Sequence, residues 1–444
     1  AARARARAMG CPRPPAKLLV LGAFWLALVA GRLPPSLLQR SHVLGVLEMV
    51  FRPDRTDVLE RHCLAFGRQA DSDYESKEFM RSAGAIHQAV KAMRRHPNHK
   101  GVQGACTKAL MGLLLFQREN GLLAAELGGM ELVMASMKRF PDDPDMQNLG
   151  VYGCFMDFCP ENRIKFGQLG GIELVLDTIR RHYNNTWVQF MGWAAFSSGV
   201  TDNELAFRNA GGLDLALRSL RDHPGSAKNR IREEVLQVTK SIGRYSAQLR
   251  DELLARGFLR VLLDVMREEA DDLQCQSLGC ENLAFVLRAP AQAAYSAVAW
   301  GAAKPEILGS ITLEQLQPDN ATVASMLLEA GALDALLSAV RREQELDGGG
   351  HEEQSAQHFE SNYNVLRNAF WAMAHMAIGS PEARAALIRE EAPRLVVEGM
   401  ARKPHNVLVQ ASGCWALRAL AAGDEDQRMA VATAQPPAWC AQQL

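Results

Sequence analysis

The sequence predicts an all-α protein, a right-handed α-solenoid of short helical repeats. Three observations predict it. A pair of residues containing glycine recurs every 41 to 45 residues over most of the chain. A basic or aromatic residue that ends a helix follows twelve or thirteen residues later. A glutamine then stands at the start of an apolar stretch. A fixed period of this length is typical of repeat architectures.

The glycine pairs predict a break between a short first helix and a second helix, because glycine turns tightly at low steric cost. In one repeat, residues 162–169 predict the first helix and residues 172–179 the second. The apolar residues of the second helix have helical spacing. The pairs and their substitutes are Ala83-Gly84, Gly128-Gly129, Gly170-Gly171, Gly211-Gly212, Arg256-Gly257 and Ala330-Gly331.

The second helix ends at a basic or aromatic residue, and proline follows it in most repeats because proline cannot continue a helix. A third helix of small and apolar residues comes next, and this composition suits burial between neighbouring repeats. The sequence predicts eight third helices, which start near residues 60, 103, 147, 189, 232, 276, 366 and 410. Glutamine marks five of these starts; Glu60, Arg232 and Leu366 stand at the others.

The layout of three helices in each repeat resembles that of the armadillo-repeat family, and the resemblance covers Ser36 to Gly423. It implies a superhelix whose third helices form a concave groove for extended peptides. Nuclear import receptors of this family have Trp five residues after the glutamine and Asn nine residues after it. In this chain only Trp371 and Trp415 stand at the Trp position, and no Asn stands at the position nine residues after the glutamine. The departure argues against an import-receptor role.

The chain is predicted to have three parts. Residues 1–35 are basic and then hydrophobic, and the apolar run 18–30 has the length of a signal-peptide core or of a helix that caps the first repeat. Residues 36–423 form the repeat array, with insertions at about 288–319 and 341–362. The second insertion contains three consecutive glycines, which predicts a mobile loop. Residues 424–444 form an incomplete repeat and a tail.

The groove positions give the candidate binding residues. They combine aromatic and charged side chains, and Trp and Arg are the residues most enriched at binding hot spots. An alternative interpretation is that both Trp side chains only pack between repeats. The candidate residues are Tyr152, Glu281, Trp371, His375, Trp415 and Arg418.

Motifs for catalysis, cofactors and metals are absent from the sequence. It contains no phosphate-binding glycine loop, dinucleotide fingerprint, HExxH zinc motif or GxSxG nucleophile motif. The net charge of -1 and the interspersed acids give no basic stripe for nucleic acid. The sequence therefore predicts a non-enzymatic scaffold that binds other proteins or extended peptide segments, with no cofactor, small-molecule substrate or nucleic acid.

Two other functions remain open. One is a regulatory subunit, or an armadillo segment separated from a larger signalling enzyme. The other is a lumenal or secreted adaptor, which needs the apolar run to be a signal and would make the sequons at Asn184 and Asn320 accessible to glycosylation. Contact with a membrane is expected only if the apolar run is retained.

The cysteines favour a cytoplasmic location over the secretory pathway. The chain has nine of them, without CxxC pairing. Four lie at apolar positions of the repeated helices, which predicts buried thiols in a reducing compartment. These four are Cys106, Cys154, Cys280 and Cys414.

Overall fold

The computed structural model of the chain describes residues 37–68, 74–115, 117–152, 160–197, 200, 202–223, 230–287, 321–346 and 364–441. The described residues form 25 helices and no strand, so the prediction of an all-α solenoid is confirmed. The chain divides into two compact units, unit 1 up to Ala195 and unit 2 from Phe196. The predicted N-terminal segment, the insertion at 288–319 and most of the insertion at 341–362 lie outside the described residues.

Unit 1 contains the first repeats. Its third helices pack on one another, α2 on α5 and α5 on α8, and its second helices do the same, α4 on α7 and α7 on α10. The helices are α1 (Leu37–Phe51), α2 (Thr56–Arg68), α3 (Tyr74–Ala83), α4 (Ala85–Arg95), α5 (Lys100–Leu114), α6 (Arg118–Glu126), α7 (Gly129–Arg139), α8 (Pro144–Tyr152), α9 (Pro160–Gln168), α10 (Gly171–Arg181) and α11 (Thr186–Ser197), which extends across the division between the units.

Unit 2 continues with the same layout. Its third helices α14, α17, α20 and α23 pack in chain order, as do its second helices α13, α16, α19 and α22. The helices are α12 (Glu204–Asn209), α13 (Gly212–Asp222), α14 (Ile231–Tyr245), α15 (Ala247–Ala255), α16 (Phe258–Glu268), α17 (Leu273–Val286), α18 (Ala321–Glu329), α19 (Ala332–Leu346), α20 (Val365–Gly379), α21 (Pro381–Arg389), α22 (Ala392–Arg402), α23 (Val407–Ala421), α24 (Glu425–Thr433) and α25 (Ala438–Ala441).

The predicted glycines occupy the turn between the first and second helices of each repeat. Their φ angles lie between 73° and 91°, in the left-handed region that costs other residues energy. In the eighth repeat Glu391 takes this position with a φ of 58°. The six glycines are Gly84, Gly128, Gly170, Gly211, Gly257 and Gly331.

The repeated glutamine caps the second helix of its own repeat. In the sixth repeat, Gln276 Nε2 donates hydrogen bonds to the carbonyls of Met266 and Glu269, at 2.7 and 2.9 Å. Carbonyls at the end of a helix lack partners within that helix, so a buried side-chain donor is needed. The residues that repeat this pair of bonds are Gln103, Gln147, Gln189 and Gln410.

Side-chain bonds also join consecutive repeats. In unit 1 the hydroxyl of Thr178 donates to Gln147 Oε1 at 2.8 Å, and Ser136 donates in the same way to Gln103. His182 Nε2 donates to the carbonyl of Pro141 at 2.8 Å, one repeat earlier. Side chains in the last turn of a second helix and at its C-cap therefore join one repeat to the repeat before it.

A glycine three residues after the glutamine brings the third helix close to the second. A Cβ on Gly279 would lie 2.6 Å from Cγ of Met266, which is too close for a real contact. We expect Gly279→Ala to lower the free energy of unfolding by about 1 kcal/mol, because overpacking outweighs the higher helix propensity of alanine. The measurement is the urea midpoint of unfolding.

Gly104 in α5 is the matched control for this prediction. A Cβ there would meet only Met146 Cε, at an ordinary distance of 3.7 Å. Gly104→Ala is therefore expected to raise stability by about 0.5 to 1 kcal/mol. Stabilisation by both substitutions would show that the third helix of the sixth repeat has room for a methyl group.

The prediction that Cys414 is a free buried thiol is wrong. Cys414 in α23 forms a disulfide with Cys440 in α25, and their Cα atoms are 5.6 Å apart. The chain after the last repeat folds back over α23, which brings the cysteine of the tail against the third helix. Cys106 and Cys280 are free and buried as predicted, and Cys154 lies outside the described residues.

Taken one at a time, the helices that the structure describes are too short or too polar to cross a bilayer; only α18 and α19 taken together, with a bend of 68° between them, pass on length and composition.

Candidate functional site

The candidate site is the face of the third helices of unit 2, where α14, α17, α20 and α23 pack side by side. The residues five and nine positions after the glutamine slot lie on this face. They include Glu281 on α17, Trp371 and His375 on α20 and Trp415 on α23. Ring contacts bring three of the six predicted residues, Trp371, His375 and Trp415, together on this face.

Aromatic rings form a continuous line across three of these helices. We call Phe285, Trp371, His375 and Trp415 the aromatic row. Successive rings meet edge to face, with centroids 4.8, 5.4 and 4.9 Å apart along the row. Edge-to-face contacts are a favoured arrangement of aromatic pairs and add stability beyond the area they bury.

The aromatic row is buried. Trp371 is 2% exposed, His375 1% and Trp415 7%. Both Trp side chains thus pack between repeats, as the alternative interpretation of the sequence requires. In this conformation their rings do not offer a surface to a partner, and the accessible part of the face is formed by other residues.

His375 is a neutral imidazole inside the aromatic row. Burial lowers the pKa of His375 to about 3, because the protonated ring would lose its hydration. Its Nδ1 has no hydrogen-bond partner among the described residues. The ring therefore contributes to packing at neutral pH and opposes folding when the unfolded chain can take up a proton.

For this reason, the free energy of unfolding of unit 2 is expected to decrease as the pH is lowered. The unfolded imidazole has its ordinary pKa near 6.5, so below pH 6.5 the unfolded state binds a proton that the folded state excludes. Between pH 7.5 and pH 5 we expect His375 to reduce the free energy of unfolding by about 2 kcal/mol. Urea unfolding of the intact chain and of His375→Phe at both pH values measures it. An equal pH dependence of the two proteins would contradict the lowered pKa.

The charged candidates are only partly accessible. The Glu281 side chain is 14% exposed, and its carboxylate lies 3.6 Å from the ammonium group of Lys240 on α14. Arg418 on α23 is half-buried. Tyr152 belongs to α8 of unit 1, and its side chain lies outside the described residues.

Two accessible residues of this face escaped the sequence analysis. The Arg244 guanidinium lies 5.0 Å from the ring centroid of Tyr245 and 5.8 Å from that of Phe285, so it extends the aromatic row onto α14. Tyr245 is 60% exposed. They lie at the end of α14, beyond the positions that the family pattern marks, and a search of the whole third helix would have found them.

Buried asparagines hold the third helices together instead of facing a peptide. Asn282 accepts a hydrogen bond from the Thr239 hydroxyl at 2.9 Å and donates to the carbonyl of Leu236 at 3.0 Å. Asn368 donates to the carbonyl of Ser277 at 3.1 Å and to its hydroxyl at 3.0 Å. These amides bridge adjacent helices, so they are not available to clamp a peptide backbone.

The described part of the chain has no group of three or more His, Cys, Asp or Glu side chains arranged to hold a metal ion. A cavity of about 690 Å³ lies between α16 and α19 and is lined by Met266, Arg267 and Arg342 among others. Both arginines are paired with carboxylates, Arg267 with Asp264 and Arg342 with Asp271.

Comparison with known proteins shows the fold. No protein-family model and no curated protein matches the sequence. The crystal structure of an engineered protein from a structural genomics consortium is similar over 88% of this chain and 92% of its own, at 16% identity and a TM-score of 0.58. A structure from work on a phosphorylation switch that controls the interaction between cadherin and β-catenin is similar at 13% identity and a TM-score of 0.54. The match covers 86% of this chain but only 65% of that one. The likeness supports a helical repeat fold.

Proposed function

We propose that the chain is a non-enzymatic scaffold that binds an extended segment of a partner protein along the third-helix face of unit 2. The observation that carries this proposal is the side-by-side packing of four third helices, whose buried aromatic row is flanked by partly accessible charged residues. Armadillo repeats, which the sequence resembles, use the corresponding face for peptides. The structural neighbour from work on cadherin and β-catenin is consistent with a protein partner.

The buried and accessible residues have different parts in this proposal. The aromatic row forms a rigid floor, because its rings are packed between helices. Tyr245 and Arg244 on α14 and Arg418 on α23 are the side chains proposed to reach a partner. Glu281 and Lys240 form an ion pair on the same face. An aromatic residue beside an arginine, as in Tyr245 and Arg244, is typical of interface hot spots.

The chemistry of this face favours binding over catalysis. The imidazole of His375 is desolvated and neutral. Burial lowers its pKa, and no carboxylate contributes to that shift. Glu281 is paired with Lys240. A general base needs an accessible group with a positioned partner, and neither residue meets that requirement.

A peptide-display selection tests the proposal. Peptides selected on the intact chain are measured by titration against the double variant Tyr245→Ala/Arg418→Ala. We expect the affinity of these peptides to fall at least tenfold, which corresponds to about 1.4 kcal/mol. Trp371 and Trp415 are left intact, because their burial would mix loss of binding with loss of folding.

The control is Arg260→Ala on the second helix α16, where the arginine is exposed on another part of the unit. It should bind the selected peptides with unchanged affinity. If Arg260→Ala weakens binding as much as the double variant does, or if the double variant binds normally, the third-helix face is not the binding surface.

A lumenal or secreted adaptor is a second candidate, and the disulfide between Cys414 and Cys440 favours it. Disulfides persist in oxidising compartments and are rare in the cytosol. Asn184 lies exposed in the turn between α10 and α11, where a glycosyltransferase could reach it.

Expression in secretory cells should give a glycosidase-sensitive mass shift that is smaller in Asn184→Gln. An unshifted chain in the cytosol with an alkylatable Cys414 would support the cytoplasmic alternative.

A further inference from the structure

Two thiols of adjacent third helices meet in the core of unit 1. Cys63 on α2 and Cys106 on α5 are both 0% exposed, and their Sγ atoms lie 2.6 Å apart. That separation is about half an ångström longer than a disulfide bond of roughly 2.0 Å. Both cysteines are free thiols in the structure, and their sulfurs lie close to bonding distance.

The close approach of the two helices makes this contact possible. A Cβ on Gly67 of α2 would lie 2.9 Å from Cγ of Lys108 on α5. A Cβ on Gly101 of α5 would lie 2.6 Å from the carboxyl carbon of Glu60 on α2. Glycines on both sides of the thiol pair thus bring the backbones near, and a disulfide needs its two Cα atoms within about 7 Å.

We infer that Cys63 and Cys106 form a disulfide, which cross-links the third helices of the first two repeats when a small disulfide such as oxidised glutathione is present. One cysteine thiolate attacks the glutathione disulfide, breaks its sulfur–sulfur bond and releases one glutathione thiolate. The other cysteine thiolate then attacks the protein sulfur of the mixed disulfide and releases the second glutathione. Two cysteines are oxidised, one glutathione disulfide is reduced to two thiols, and the protons pass between thiols and solvent.

Burial sets the rate of this exchange. It raises the pKa of the Cys106 thiol well above its usual value, so little thiolate exists in the closed core. Exchange therefore proceeds during folding or when α2 and α5 separate locally. The same burial shields the finished bond from small reductants, so the cross-link forms slowly and persists.

The other described cysteines provide internal references. Cys275 and Cys280 are buried free thiols like Cys63 and Cys106, but they lie five residues apart on one helix. Cys414 and Cys440 are joined. A single sample thus contains a pair expected to remain reduced and a pair expected to be oxidised.

The test uses the full-length chain in glutathione buffers of graded redox ratio. After acid quenching, free thiols are alkylated in denaturant, and a non-reducing digest is analysed by mass spectrometry. With oxidised glutathione in excess we expect about 90% of the Cys63 peptide to be linked to the Cys106 peptide, as for a structural disulfide. The Cys275 and Cys280 peptides should carry the alkyl label. In Cys63→Ser, Cys106 should be labelled.

Two results would overturn the inference. One is full labelling of Cys63 and Cys106 in a sample where Cys414 and Cys440 are linked. The other is a link from Cys63 or Cys106 to any other cysteine in place of the expected one. Both readouts come from the unaltered chain, so they do not depend on the folding of a variant.

Discussion

Replacing Trp371 with alanine is expected to lower the free energy of unfolding by about 3 to 5 kcal/mol, the range measured for a large aromatic side chain in a packed core. Trp371 is 2% exposed and contacts Phe285 on one side and His375 on the other. Its removal leaves a cavity at the centre of the aromatic row, and the neighbouring helices cannot close it without shifting three packed repeats. Urea unfolding followed by circular dichroism measures the change.

Trp187 on α11 is the control for this substitution. It is 56% exposed and stacks on Phe190, with ring centroids 5.6 Å apart. Trp187→Ala should cost less than about 1 kcal/mol, because little buried volume is lost. If Trp371→Ala costs no more than Trp187→Ala, the aromatic row is not part of the core, and its rings become candidates for direct contact with a partner.

Replacing Arg232 with alanine is expected to cost about 3 kcal/mol, the lower end of the range for breaking a buried ion pair. The Arg232 side chain is 5% exposed. Its guanidinium donates to Glu269 and Glu268 and, through Nε, to the carbonyl of Leu220 at 3.0 Å. Its loss removes this charged partner from the Glu269 carboxylate, which is 14% exposed. Glu268 is 60% exposed and stays hydrated, which limits the effect.

Arg267→Ala is the matched change on the surface of the same unit. Arg267 pairs with Asp264 on the exposed side of α16, and its side chain is 68% exposed. Such pairs contribute little, so we expect a loss below about 0.5 kcal/mol. Similar costs for Arg232→Ala and Arg267→Ala in urea unfolding would mean that Glu269 is hydrated once its arginine is gone.

The sequence pattern predicted the layout of the repeats because that layout depends on local chemistry. Glycine is favoured where φ is positive between the first and second helices, and the six predicted glycines have that conformation. Glu391 shows the limit of this signal, since a residue with a side chain can hold the same turn. The third helices begin up to one turn before the glutamine or its substitute, which the sequence pattern takes as the helix start. The difference arises because the glutamine caps the second helix from a position inside the third helix.

The candidate site was harder to predict because it depends on contacts between distant residues. The family pattern located Trp371, His375 and Trp415 on one face, but their burial results from the packing of α17, α20 and α23. Arg244 and Tyr245 lie outside that pattern. The disulfide at Cys414 was missed because its partner lies 26 residues later in a tail without repeat periodicity.

The glutamine cap also fixes the length of the connection that it spans. In all five repeats that have it, the glutamine bonds to the carbonyls ten and seven residues earlier, so the connection between second and third helix has one fixed length. Longer connections follow Asp222 and Leu346, in repeats where Arg232 and Leu366 replace glutamine. The first repeat, with Glu60 in that position, keeps the short connection between Phe51 and Thr56. Among the described helices, every connection that is longer than this belongs to a repeat without the glutamine, so the cap is incompatible with extra residues at that point, whereas its absence does not by itself require them.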